Sequence, residues 1–77
     1  MSELLKNAVW EDVDSSNIRE VAFDEASETI LVKFKGARTV WAYSGCSRQL
    51  YEQFRLAPSV GKFFNANIKS KPAEQLA

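Results

Sequence analysis

Seventy-seven residues make one domain at most, and a chain this short buries only about 60% of its unfolded surface, leaving little room for a deep catalytic pocket. Histidine is absent and Cys46 is the only cysteine, which removes the usual near-neutral general base, the commonest metal ligand and any internal disulfide, and fits a reducing cytoplasmic setting. Net charge is zero, yet residues 1–28 carry eight acids against two bases and residues 29–77 eight bases against two acids, an asymmetry that can attract polyanions.

Residues 2–9 place Leu4, Leu5, Ala8 and Val9 on one side at helical spacing, behind a Ser2 cap. Residues 1–12 are therefore expected as an N-terminal extension able to take a short helix or a strand. "MSELLKNAVW" lacks the basic start and long apolar segment of a signal peptide, and no apolar run approaches the roughly 20 residues that span a bilayer. "VDSSNI" reads as a turn leading into the strand "IREVAF", with Arg19, Val21 and Phe23 on one face. "DEASE" (Asp24 to Glu28) is a polar loop.

"TILVKFKGARTVWAY" alternates Ile30, Val32 and Phe34 with Leu31, Lys33 and Lys35, the strand period. Gly36-Ala37 fits a two-residue hairpin loop. That register sets Lys33 opposite Val40, Val32 opposite Trp41 and Ile30 opposite Tyr43, so Trp41 and Tyr43 fall on the apolar, core side. Aromatics two apart can also stack nucleobases, but a shared apolar face favours burial over stacking. The other face carries Lys33, Lys35 and Arg38. A directly opposed Lys35–Arg38 pair is repulsive, and a bound anion or splaying into water would relieve it.

"SGCSRQLYEQFRLAP" is a turn and a helix capped by Ser47, with Leu50, Tyr51, Phe54 and Ala57 on one face. Pro58 stops that helix at Ala57. Ser59 then caps a second helix running to about Asn67, with Val60, Phe63, Phe64 and Ile68 as its apolar contacts. Residues 70–77 are expected as a flexible tail. The fold class is α+β: a small antiparallel meander of about three strands, followed by two short helices.

In order and spacing, "VDSSNI", "AFD", "ILVKF.G", "WAY" and "LYEQFRLAPSVGKFFNANIK" together resemble the KTSC family, a short domain also found at the C-terminus of some lysyl-tRNA synthetases. The resemblance runs from Val13 to Ile68, and the domain is set at residues 13–69. Relatives usually carry Tyr-x-Tyr where this chain has Trp41 and Tyr43, and a Val-Pro pair where it has Gly45-Cys46. What the resemblance implies is an RNA role rather than an enzymatic one, in a free-standing protein of bacteria or their phages.

The residues "SVGK" offer a hydroxyl (Ser59), a glycine for close approach (Gly61) and a charge (Lys62) at a helix start, where free N–H groups can receive phosphate. This is no nucleotide-triphosphatase loop, because Leu56 stands where a glycine is needed and Phe63 where Ser or Thr is needed. A plain serine cap with a tight helix contact explains the same residues. Arg55, Lys69 and Lys71 can extend the positive surface, and Asn65 and Asn67 can bond bases or cap the helix. The acidic residues Glu11, Asp12, Asp14, Asp24, Glu25 and Glu28 lack calcium-loop spacing. Ser15, Ser16 and Cys46 have no activating base in the sequence pattern, so no catalysis, cofactor or metal is expected.

Three functional readings follow. The first is a nucleic-acid-binding module, for RNA above all, using Lys33, Lys35, Arg38, Arg55, Lys62 and Lys69 with the Ser59–Gly61 corner. The second is a sponge for small, including cyclic, nucleotides. The third is a protein-interaction or self-assembling adaptor whose acidic and basic surfaces meet between copies.

Overall fold

The computed structural model describes residues 3–76; the expected Ser2 cap lies outside them. Along the chain come α1 (Glu3–Asn7), β1 (Glu11–Asp12), β2 (Ile18–Asp24), β3 (Thr29–Phe34), β4 (Val40–Tyr43), α2 (Arg48–Arg55), α3 (Val60–Asn67) and β5 (Ala73–Gln75). The strands form one antiparallel sheet in the order β1-β2-β3-β4-β5. The α+β class holds, but the sheet has five strands rather than about three. Both additional strands are short edge strands. β1 has two residues and β5 three, too few to display a period of two in the sequence.

The β3–β4 register is the expected one: Lys33 opposite Val40, Val32 opposite Trp41, Leu31 opposite Ala42 and Ile30 opposite Tyr43. The connection is wider than two residues, because pairing ends at Lys33 and Val40. Phe34 O accepts from Ala37 N–H across a turn in which Gly36 has φ of +76°, the conformation a type II turn requires at its third position. The Lys35 amide donates to Asn17 O (2.9 Å) on β2's side, so Lys35 and Arg38 do not oppose each other. The repulsive cross-strand pair expected from the sequence is not formed.

β2 departs from simple alternation at its start. Ile18 pairs with Phe34 and Glu20 with Lys33, so Arg19 is an extra residue in a β-bulge. The bulge puts Ile18, fully buried, on the same face as Val21 and Phe23, while Arg19 is exposed and leaves the face assigned to it.

Two apolar clusters sandwich the sheet. On the front, α2 and α3 cover Ile18, Val21, Ile30, Val32 and Tyr43 with Tyr51, Phe54, Val60, Phe64 and Ile68. Phe64 is the hub: it meets Phe34 and Tyr43 edge-on, at centroid distances of 5.5 and 5.2 Å. On the back, Ala22, Leu31 and Ala42 are covered by Leu4, Ala8 and Trp10 from the N-terminal segment and by Leu76. Within the segment 70–77, expected as a flexible tail, Ala73–Gln75 form β5 and Leu76 makes a back-face contact. Ser44 N–H donates to Pro72 O and Leu76 N–H to Val40 O, pinning the segment to β4.

The helices start as their caps dictate, and α2 ends at Arg55, two residues before the expected stop at Ala57, with Leu56 N–H donating to Glu52 O. Ser47 Oγ accepts from Leu50 N–H (3.1 Å) and Ser59 Oγ from Lys62 N–H (3.4 Å), each in extended backbone. Among the described residues no helix is long and apolar enough to cross a membrane.

Candidate nucleic-acid interface

The strands give the molecule two unlike ends. The β2–β3 turn carries Asp24, Glu25 and Glu28, whereas the start of β2 and the β3–β4 connection at the opposite end carry Arg19, Lys35 and Arg38. The α3 N-terminus also lies at the basic end, because Gly61 packs against Asn17 and Ser15, just before β2.

There the "SVGK" corner forms one wall of an open cleft of about 480 Å³. The α3 wall presents Pro58, Ser59, Gly61, Lys62 and Asn65, and the loop before β2 presents Asp14, Ser15, Ser16 and Asn17. The loop is set by its own hydrogen bonds. Ser15 Oγ donates to Asn17 Oδ1 (2.9 Å) and accepts from Asn17 N–H (3.3 Å) and Ile18 N–H (3.2 Å). A Cβ at position 61 would stand 3.0 Å from Asn17 Oδ1, so glycine permits this close approach. Ser59 takes up the Lys62 amide, and the first helical turn leaves the Val60 and Gly61 N–H groups without an intrahelical acceptor. Lys62 is exposed at the cleft, facing the acid Asp14 across it.

The other expected residues are not gathered there. Lys35 adjoins the cleft through its amide contact with Asn17. Lys33 is held on the back face by Glu20 (3.6 Å) and by the Trp10 ring, 4.1 Å from its Nζ. Arg38 borders a separate cavity beside Lys33, with Arg19, Glu20 and Thr39. Arg55 is bound to Glu52 (Nη2–Oε1, 2.6 Å) and Glu11 (Nε–Oε2, 3.5 Å), and the Glu52 hydrogen bond chiefly raises its pKa further above the usual arginine value. Lys69 follows the far end of α3, where its amide donates to Phe64 O. The expected surface is therefore divided. Ser59, Gly61 and Lys62 meet, with Lys35 adjacent, while Lys33 and Arg55 already have carboxylate partners.

Tyr43 is buried and Trp41 half-buried, both packed on the front cluster, so their rings serve the core. Burial pushes the Tyr43 pKa up. Cys46 is fully buried, its Sγ donating to Tyr43 O (3.3 Å), and burial raises its pKa as well. A thiol so placed is a poor nucleophile. Asn67 Nδ2 donates to Phe63 O (3.3 Å), a role within the helix end. Among the described residues no three His, Cys, Asp or Glu side chains are placed to share a metal ion.

Sequence reasoning missed Asn17 and Arg19 as site residues. "SSN" signalled a turn, but only the fold brings that turn against Gly61. Alternation alone puts Arg19 on a strand face, because a bulge leaves no mark on the sequence.

A search of curated proteins gives no match. Among solved structures, the chain is similar to a crystal structure of a KTSC domain protein from Yersinia pestis, with a TM-score of 0.84 and 22% identity, over 91% of this chain and 99% of that one. At that identity the likeness bears on the fold. The family model for the KTSC domain matches residues 14–71, most of the length described above, from the loop before β2 to the turn between α3 and β5. The chain belongs to the KTSC domain family.

Proposed function

We propose that this protein is a small, non-catalytic, cytoplasmic module that binds nucleic acid, RNA above all, through phosphate contacts at its basic end. The observation that carries the reading is the cleft between the Ser15–Asn17 loop and the first turn of α3. Backbone N–H groups, the Ser59 hydroxyl and the Lys62 ammonium converge there, with Lys35 alongside. Lys62 and Lys35 have no ion pair among the described residues, so an incoming phosphate displaces no carboxylate from them. Asp14 opposes the anion at the same cleft and weakens the attraction. Contacts of this kind give sequence-tolerant, salt-sensitive affinity.

The test is anisotropy of labelled RNA across a salt series, with Lys62→Gln and Lys35→Gln variants. Saturable binding that weakens with salt, and weakens further in each variant, supports the reading. Absence of saturable binding at low salt removes it. A second reading, a binder of small cyclic nucleotides, is favoured by the cleft volume of about 480 Å³, within the range of roughly 300–1,000 Å³ of small-molecule sites. Calorimetry with a nucleotide panel separates the two, since tight binding of a nucleotide with no RNA competition selects the second.

A further inference from the structure

The β-bulge at Arg19 does more than restore the core. By inserting one residue between the Ile18–Phe34 and Glu20–Lys33 pairs, it frees Arg19 from the ladder at the rim of the back face. There Arg19 and Arg38 line one cavity of about 280 Å³ with Lys33, Glu20 and Thr39. Its charged lining is three cations against one carboxylate, and that carboxylate is engaged: Glu20 pairs with Lys33, which also lies on Trp10. Neither Arg19 nor Arg38 has an ion pair among the described residues, and both side chains are exposed. A cavity this small is below the roughly 300–1,000 Å³ range for small-molecule ligands, and two guanidinium forks beside a hydroxyl suit a phosphate group.

The place of this cavity matters as much as its charge. Asn17 lines the α3 cleft and Arg19 lines the back cavity, with fully buried Ile18 between them. Because α3 packs on the front of the sheet and Lys33 lies on its back beside Trp10, the two anion-compatible sites stand on opposite faces of the same sheet end, and Lys35 follows the last residue of β3 there. A rigid duplex laid against one face cannot reach the other. A flexible strand can turn around the rim.

We propose that Arg19 and Arg38 form a second phosphate subsite, and that the ligand joining it to the α3 cleft is a single-stranded nucleic acid. The proposal rests on the nucleic-acid reading above and adds to it a residue pair, a face and a strand state.

The experiment follows the arginine Nε–Hε NMR signals of the intact protein during titration with three probes. These are an oligouridylate of roughly twelve nucleotides, a length within the site sizes of single-strand binders, a duplex of that length, and inorganic tripolyphosphate. Affinity and salt dependence are measured in parallel for the wild type and the Arg19→Gln/Arg38→Gln variant, whose exposed positions leave the core untouched. The expected result is that the single strand shifts both arginine signals and binds more tightly than the duplex. The double variant then loses affinity on the order of tenfold, and its log–log salt slope falls by about 1.4, two phosphate contacts at roughly 0.7 each.

If the strand binds with both arginines unmoved and the variant unchanged, the second subsite is overturned while the nucleic-acid reading stands. Equal or tighter duplex binding overturns the single-strand assignment. If tripolyphosphate moves the arginines but no nucleic acid binds, the anion site remains and the nucleic-acid reading falls. Signals unmoved by every probe overturn the site itself.

Discussion

An alanine at position 61 brings a methyl carbon to 3.0 Å from Asn17 Oδ1, the atom that accepts the Ser15 hydroxyl. Within a helix, alanine is better than glycine by about 1 kcal/mol, so two effects compete at this site. Contact should win while Asn17 is present, because yielding breaks a hydrogen bond that shapes the loop. Gly61→Ala is expected to cost about 1 kcal/mol in wild type and to become neutral or stabilising by up to about 1 kcal/mol in an Asn17→Ala background. A double-mutant cycle in urea measures the coupling. The tyrosines give a second residue-level prediction. Tyr51 OH donates to Glu11 Oε2 (2.7 Å), and burial, then that bond, raises its pKa well above the ordinary value; burial raises that of Tyr43 too. A tyrosine pKa higher in the folded state means the unfolded chain releases its protons first. The stabilisation is therefore complete below about pH 10 and lost as pH climbs from there toward the folded values. Ultraviolet titration should show less tyrosinate at about pH 10 in the folded protein than in the unfolded chain. Tyr51→Phe should flatten the alkaline loss of stability followed by urea unfolding.

The two helices depend on local chemistry that can be removed one atom at a time. Ser47→Ala and Ser59→Ala should each cost about 1 kcal/mol, with Ser47 the larger because its bond to Leu50 N–H (3.1 Å) is shorter than that of Ser59 to Lys62 N–H (3.4 Å). Thermal midpoints of the two variants check the order. β5 depends instead on backbone pairing: its three residues are exposed, and its hold on β4 comes from the ladder, the Leu76 amide and the half-buried Leu76 side chain. Ending the chain at Pro72 should cost about 2 kcal/mol, combining roughly 1 kcal/mol for a half-buried leucine with lost hydrogen bonds, and should expose the β4 edge to self-pairing. Urea unfolding and light scattering read the two effects. The same contrast explains what could be read in advance. The β3–β4 register was legible because Ile30, Val32, Trp41 and Tyr43 alternate strictly, and the helix limits because Ser47, Pro58 and Ser59 punctuate them. Ala73-Glu74-Gln75 buries no side chain, so no hydrophobic signal marks it. The bulge at Arg19 is a slip in pairing, invisible without the partner strand. Arg55 has a partner legible in the sequence, Glu52 one helical turn before it (2.6 Å), and a second, Glu11, that only the fold brings to 3.5 Å.

Across the whole molecule, the segregation of charge along the sequence becomes in part a separation in space, with Asp14 and Glu20 the acids that stay at the basic end. Acids of the β2–β3 turn and arginines of the opposite sheet end stand a strand's length apart, with Arg48 moderating the acidic end through Glu25 (3.1 Å). A neutral body with unlike poles should attract its own copies end to end in dilute salt. The attraction should fade as the Debye length shrinks to about 8 Å at physiological ionic strength. Static light scattering is expected to give a negative second virial coefficient at low salt that rises toward zero on adding sodium chloride, with Arg19→Gln/Arg38→Gln blunting the change. The back cluster has a different bearing. Leu4 and Leu76 rest on the same three residues, Ala22, Leu31 and Ala42, on the back of the sheet. Sequences joined ahead of residue 4 or beyond residue 76 would depart from neighbouring points on that underside. The module can be carried on another polypeptide as a bead on a short-necked loop, with its α2–α3 side turned outward.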